Sequence, residues 1–228
     1  MTNIWIDSEG DNWFDRNKGK IPADNDFILE LLEKYQIHPR NVLEIGCANG
    51  YRLVQIHDKY SCSVIGVEPS AKAIIDGKTK WKYITFIHSL CESFEVKEKA
   101  DLIIINFVLH WVTRPELIKC IYNIDKSLSD GGFLIIGDFG TDNFIKRKYH
   151  HLPDANIWTY KQEYSKIFTS TGLYLEIARM KYNHNAVELT SNIDNSDMAT
   201  ISLFSTTELT QRIREELETF HVKDSYVI

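Results

Sequence analysis

Val42-Leu43-Glu44-Ile45-Gly46-Cys47-Ala48-Asn49-Gly50 is the stretch that decides the reading of this chain. An apolar strand runs into an acidic residue and then into a turn punctuated by Gly46 and Gly50. A second apolar strand, Val64-Ile65-Gly66-Val67, ends in Glu68. This layout suits a nucleoside-bearing cofactor at the carboxyl end of a parallel sheet. Gly46 has no Cβ, so the backbone can approach a ligand closely. Glu68 can accept two hydrogen bonds from a ribose diol, as the acidic residue at the end of the second strand does in nucleotide-binding folds.

The same residues separate two cofactors. A pyrophosphate site wants Gly-x-Gly-x-x-Gly with the phosphates on a helix N-terminus. Ala48 and Asn49 break that spacing. Glu44, just before the turn, is expected to repel a pyrophosphate and favour a cation. The segment resembles motif I of the class I S-adenosylmethionine-dependent methyltransferases, Glu/Asp-x-Gly-x-Gly-x-Gly, with Ala48 at the middle glycine. The alternative is an ordinary strand-to-helix turn.

Outward from this stretch, strands and helices alternate. The N-terminal residues 1–20 are polar but carry Trp5, Trp13 and Phe14, and residues 22–36 read as a helix with Pro22 near its start. Strands are expected at 41–46, 63–68, 83–88, 101–106 and 133–138, with helices at 50–60, 70–79 and 115–129. The continuous apolar runs at 102–105 and 133–136 fit strands covered on both faces. The alternation predicts a doubly wound α/β fold. After Asp138 the rhythm breaks. Residues 140–168 read as an insertion over the carboxyl end of the sheet, 171–180 and 184–203 as two strands around a polar stretch at 192–197, and Ser205 onward as a capped amphipathic helix. This order resembles the seven-stranded, mostly parallel sheet of class I methyltransferases, and the resemblance implies that the last strand is antiparallel. It also implies one domain over 1–228: a cover and helix at 1–38, a cofactor-binding core at 40–139, a substrate-facing insertion at 140–170, and C-terminal strands and helix at 171–228.

By resemblance, Glu44, Gly46, Cys47, Ala48 and Gly50 form the cofactor loop, Glu68 binds the ribose, and Pro69 and Ser70 flank the adenine. Ser89 and Leu90 fall where the family contacts the adenine, although the family commonly has an acidic or amide residue at the place of Ser89. At the end of the fourth strand, the Asn106 carbonyl or Phe107 faces the methionine, and Trp111 closes the same segment. Trp13 and Arg16 resemble a cover element, with Arg16 reaching the cofactor carboxylate; a surface ion pair is the competing role for Arg16. Methyl transfer asks mainly for alignment, plus a base where the nucleophile carries a proton. His110 is a candidate base, since histidine's ordinary pKa of about 6.5 suits proton removal; packing is its competing role. His150 and His151 are the other candidates.

Lys146-Arg147-Lys148-Tyr149-His150-His151, followed by Trp158, Tyr160 and Tyr164, is a basic and aromatic cluster in a chain of net charge −6. It suggests an anionic acceptor, with Lys146, Arg147, Tyr149, Tyr160 and Tyr164 as acceptor-binding residues. A solvated helix face is the plainer alternative. Together with Trp13–Asn17, the cluster resembles small methyltransferases of bacterial surface-polysaccharide biosynthesis, which implies O-methylation of a sugar, nucleotide-sugar or substituted glycan unit. Methylation of another metabolite, of RNA or of protein is the alternative, and a non-catalytic S-adenosylmethionine-binding protein a further one.

Composition narrows the field. A chain of 228 residues with 43% hydrophobic content buries one full core. The acidic balance argues against a general nucleic-acid binder. The four cysteines form no Cys-x-x-Cys and no zinc-ligand spacing, so reduced thiols and no metal are expected. No basic leader and no run of about 18 apolar residues is present, which points to a cytoplasmic protein without a membrane span.

Overall fold

The computed structural model describes residues 3–21, 26–185 and 197–207. Its centre is a seven-stranded sheet in the order β3-β2-β1-β4-β5-β9-β8. The strands are β1 (Asn41–Ile45), β2 (Ser63–Glu68), β3 (Thr85–His88), β4 (Ala100–Asn106), β5 (Leu128–Phe139), β8 (Tyr174–Asn183) and β9 (Met198–Thr206). β1 to β5 pair in parallel, and β9 runs antiparallel to both β5 and β8. The doubly wound sheet with an antiparallel last strand is therefore the observed fold.

Alternation along the central strands builds two cores. Leu43, Ile45, Ile103, Ile105, Leu134 and Ile136 point to one face, where α5 (Arg114–Ser127) brings Leu117, Cys120 and Ile124. Val42, Leu102, Ile104 and Ile135 point to the other, against Ile28, Leu31 and Leu32 of α2 (Phe27–Lys34) and Leu53 and Ile56 of α3 (Tyr51–Tyr60). Both faces are covered, which is why the runs at 102–105 and 134–136 are apolar without interruption. α2 is capped by Asp26, which accepts from Ile28 N at 3.1 Å. α4 (Ala71–Lys80) is capped by Ser70, whose Oγ accepts from Ala73 N at 3.0 Å.

Several boundaries differ from the sequence expectation. α5 stops at Ser127 and β5 starts at Leu128, so Gly131 and Gly132 lie inside the strand. A register shift between Ala100 and Leu102 on β4 absorbs the irregularity. The strand expected over 184–203 begins at Met198. Ser205 and Thr206, expected to open a helix, end β9; the remainder of that helix, like Pro22 and most of the 192–197 stretch, lies outside the described residues.

The N-terminal tail folds into a wide helical turn at Trp5–Glu9, α1 (Gly10–Asn17) and a tighter turn at Lys18–Lys20. α1 docks on the first turn of α4. Asp11 accepts from Ser70 Oγ at 2.7 Å and from Lys72 N at 2.9 Å, and a Cβ on Gly10 would collide with Trp5 O. The insertion is an antiparallel hairpin of β6 (Ile145–Lys148) and β7 (Trp158–Lys161), followed by α6 (Ser165–Thr169). The basic run is thus a strand, which replaces the helix-face alternative.

Candidate active site

A cavity of about 1140 Å³ opens at the carboxyl ends of β1, β2, β4 and β5, under the N-terminal cover and beside the hairpin. Single-ligand pockets run to roughly 1,000 Å³ at most, so this one has room for a cofactor and an acceptor together.

Its inner end is built from the loops after β1, β2 and β4. Gly46 has φ +73°, and a Cβ there would strike Val108 Cγ2, so the position demands glycine. Ala48 takes φ +50°, a left-handed conformation that a glycine would adopt at no steric cost. The geometry is kept because Ala48 N donates to Glu68 Oε2 at 2.8 Å. Glu68 Oε1 accepts from Ser70 N at 2.9 Å. A carboxylate has about four acceptor positions, so two remain for a ligand diol. Burial pushes the Glu68 carboxyl up to about 7, against the pull of the Ser70 and Ala48 N–H groups. Phe107 also has positive φ, +54°, and faces the cavity. Strain of this kind collects at ligand-binding loops. Asn106 Oδ1 is buried without a hydrogen-bond partner among the described residues.

Glu44, Cys47 and Gly50 lie behind this wall. Glu44 is buried and ion-paired through Oε1 with Arg52. Cys47 packs under Gly66, and burial pushes its thiol well up, the opposite of a reactive cysteine. Gly50, φ +84°, starts α3. These three shape the cofactor loop from behind and do not line the cavity. Pro69, Ser89, Leu90, Trp111 and Trp13 line the cavity.

The outer end gathers residues from the turn after β4, the end of β5 and the hairpin. His110, 4% exposed, sits with Nδ1 2.9 Å from Asp138 Oδ1, at ion-pair distance but without hydrogen-bond alignment. Its backbone N donates to Asp138 Oδ2 at 3.1 Å. His184 packs on Phe107 and Phe139 at ring distances of 4.5 and 5.0 Å, and burial followed by the nearby His110 lowers its pKa. Lys161 Nζ lies 3.7 Å from the Phe139 ring centre. Arg147, His150, Trp158 and Tyr160 complete this end.

Five expected site residues lie elsewhere. Arg16 is ion-paired with Glu9 and donates to Tyr149 Oη at 2.8 Å, so it is taken up by protein partners instead of a cofactor carboxylate. Tyr149 is buried, donates to Glu9 Oε1 at 2.6 Å and packs on Trp111 at 4.7 Å. The buried Tyr164 hydroxyl sits between the carbonyls of Leu109, at 3.1 Å, and Tyr160, at 2.5 Å. Both tyrosines hold the hairpin in place and leave acceptor contact to others. Lys146 is exposed and rests on Trp158, its Nζ 4.2 Å from the ring centre. His151 is exposed beside His150 and outside the cavity wall.

The sequence reading missed Asp138, His184, Trp5, and the cluster of Asp26, Tyr51 and Arg52, all of which line the cavity or contact a residue that does. Asp138 carries the same signal as Glu44 and Glu68, an acid closing an apolar strand. Arg52 is a charge beside Leu53 on the stripe of α3 that must be buried.

Residues 42–132 match a family model described as a methyltransferase domain. The chain is 32% identical over 122 residues to the malonyl-[acyl-carrier protein] O-methyltransferase of Anoxybacillus flavithermus, covering 51% of this chain and 46% of the relative. It is 30% identical over 120 residues to the mouse tRNA N(3)-cytidine methyltransferase METTL2, covering 47% and 31%. It thus spans less than half the length of these curated relatives. The crystal structure of the N-methyltransferase NodS from Bradyrhizobium japonicum, in complex with S-adenosylhomocysteine, superposes with a TM-score of 0.60 at 18% identity, covering 87% of this chain and 99% of that one. That likeness shows the class I methyltransferase fold. Residues 42–132 thus match a methyltransferase domain, and the chain carries it on a class I methyltransferase fold.

Proposed function

We propose that this chain transfers a methyl group from S-adenosylmethionine to a small or glycan-linked acceptor, by O-methylation of a sugar, nucleotide-sugar or substituted capsule or lipopolysaccharide unit bearing a phosphate-type anion. The observation that carries the reading is the continuity of the cavity. Its inner end presents Gly46 and the half-used carboxylate of Glu68, and its outer end presents Arg147 for an anion and Trp158 and Tyr160 as apolar faces for a ring. In this reading the chain is one cytoplasmic domain, with residues 140–170 facing the acceptor.

Bound at the inner end, the cofactor supplies an electrophilic methyl group on a sulfonium sulfur. The protein's part is then alignment, proton removal and exclusion of water. Glu68 takes the ribose hydroxyls and fixes the cofactor's depth. Phe107 and Trp111 wall the junction between the two ends, and Trp5, 4.8 Å from Trp111, closes it from the cover. Holding two reactants in line lowers a barrier by up to about 7–11 kcal/mol. His110 takes the proton from the acceptor hydroxyl, and Asp138 beside it stabilises the imidazolium that forms. His150, on the rim, is the alternative base.

The test is methyl incorporation from labelled S-adenosylmethionine into a panel of phosphorylated sugars, nucleotide-sugars, malonyl-acyl-carrier protein and tRNA. Labelling of a sugar phosphate or nucleotide-sugar supports the proposal. Labelling of tRNA or the carrier protein alone replaces the acceptor class and keeps the methyltransferase.

A further inference from the structure

We propose that Asp26, Tyr51 and Arg52 form the subsite for a zwitterionic amino-acid group, Arg52 and Tyr51 meeting its carboxylate and Asp26 its ammonium. The inference rests on the methyltransferase reading, whose cofactor carries such a group.

The three side chains line the cavity where α2 and α3 begin, close to the Gly46 turn. Arg52 is 4% exposed and already committed to three partners. Its Nε donates to Asp26 Oδ2 at 2.7 Å, Nη1 to Glu44, and Nη2 to Tyr51 Oη at 2.8 Å. A guanidinium has five N–H donors. Three are used, and two on the Nη atoms remain. The Tyr51 hydroxyl accepts from Arg52, so its own proton is available to a second acceptor. Burial pushes this hydroxyl up to about 12, which keeps it a donor at any working pH.

The acidic side is equally incomplete. Asp26 uses Oδ1 to cap α2 and Oδ2 to hold Arg52, which leaves lone pairs on both oxygens. Glu44 Oε2 is buried with no hydrogen-bond partner among the described residues. Two carboxylates against one guanidinium leave the cluster one negative charge in excess. A lone anion would gain nothing from such a cluster, and a lone cation would leave the Arg52 donors idle. A group carrying both charges on adjacent atoms uses both. A buried ion pair is costly to maintain and weak evidence of stability in itself, so its position on a ligand cavity suggests recognition. This is the role that the family resemblance implies for Arg16, which is instead occupied by Glu9 and Tyr149.

The experiment compares two ligands that share adenosine and sulfur and differ in the amino-acid group: S-adenosylhomocysteine and 5′-methylthioadenosine. Calorimetry is run on the full chain and on Arg52→Lys, Tyr51→Phe and Asp26→Asn. Asparagine is as good a helix cap as aspartate, so Asp26→Asn removes charge and keeps α2. A charge-assisted hydrogen bond is worth about 1.5–3 kcal/mol, so Arg52→Lys and Asp26→Asn should weaken S-adenosylhomocysteine about 10- to 100-fold. Tyr51→Phe should weaken it by roughly fivefold. Methylthioadenosine should bind all four proteins alike, which also shows that the variants fold. Equal weakening of both ligands, or of neither, overturns the subsite. A wild-type protein that binds S-adenosylhomocysteine no more tightly than methylthioadenosine overturns it too, while leaving the methyltransferase reading intact. A wild-type protein that binds neither overturns both.

Discussion

The Tyr149 hydroxyl donates to the Glu9 carboxylate at 2.6 Å, and both side chains are buried. This one contact joins the N-terminal cover to the segment that follows β6, and Arg16 braces it from the side. Trp5 and Trp111 pack on Tyr149, so cover, hairpin and the turn after β4 meet in one aromatic cluster over the cavity.

Tyr149→Phe should therefore loosen the cover. Removing one partner of a buried charged group costs about 1–3 kcal/mol, read as a lower denaturant midpoint. S-adenosylhomocysteine should also dissociate several-fold faster in stopped flow, since the cover no longer closes on it. Unchanged midpoint and unchanged dissociation would remove the contact from the account.

His110→Ala should lower turnover by about 10²–10⁴-fold, the usual worth of a general base, while S-adenosylhomocysteine affinity stays within about twofold of wild type. Asp138→Asn should follow in the same direction by a smaller factor. If His110→Ala keeps its rate and His150→Ala loses it, the base is the rim histidine.

Glu68 ties affinity to pH. Its folded pKa of about 7 lies above the ordinary 4.5. A carboxyl raised in this way contributes stability that is complete below about 4.5 and lost as pH rises through about 7, on the order of 3 kcal/mol. The unliganded wild type should thus lose melting temperature relative to Glu68→Gln between pH 5 and pH 8. Ligand binding runs the other way, because the ribose donates to the ionised form. S-adenosylhomocysteine affinity should rise about tenfold from pH 6 to pH 8 in the wild type and stay flat in Glu68→Gln. A flat wild-type profile would separate Glu68 from the ribose.

Gly46→Val should abolish cofactor binding. The φ of +73° is strained for any β-branched residue, and the new side chain would strike Val108. Calorimetry on a variant whose circular dichroism matches wild type is the check; an unchanged affinity would remove this loop from the cofactor site.

Much of this was legible in the sequence, for a physical reason. Strand runs such as Leu102–Ile105 have a period and a length that only a two-sided sheet explains, and Gly46 and Glu68 sit at strand ends where ligands bind. Where reading failed, the deciding fact was three-dimensional. Arg16 and Tyr149 have the right chemistry for ligand contact, but folding brings them to Glu9 and satisfies them there. Asp26 and Arg52 are 26 residues apart and look like an ordinary cap and an ordinary surface charge until they meet on the cavity wall. Asp138 and His110, 28 residues apart, become a pair only once β4 and β5 lie side by side.

Calorimetric titration of the wild-type chain with S-adenosylmethionine and S-adenosylhomocysteine, with NAD as control, is the most direct test of the central claim. Micromolar binding of the first two and none of NAD is the predicted result. Binding of NAD alone, or of none of the three, would contradict it.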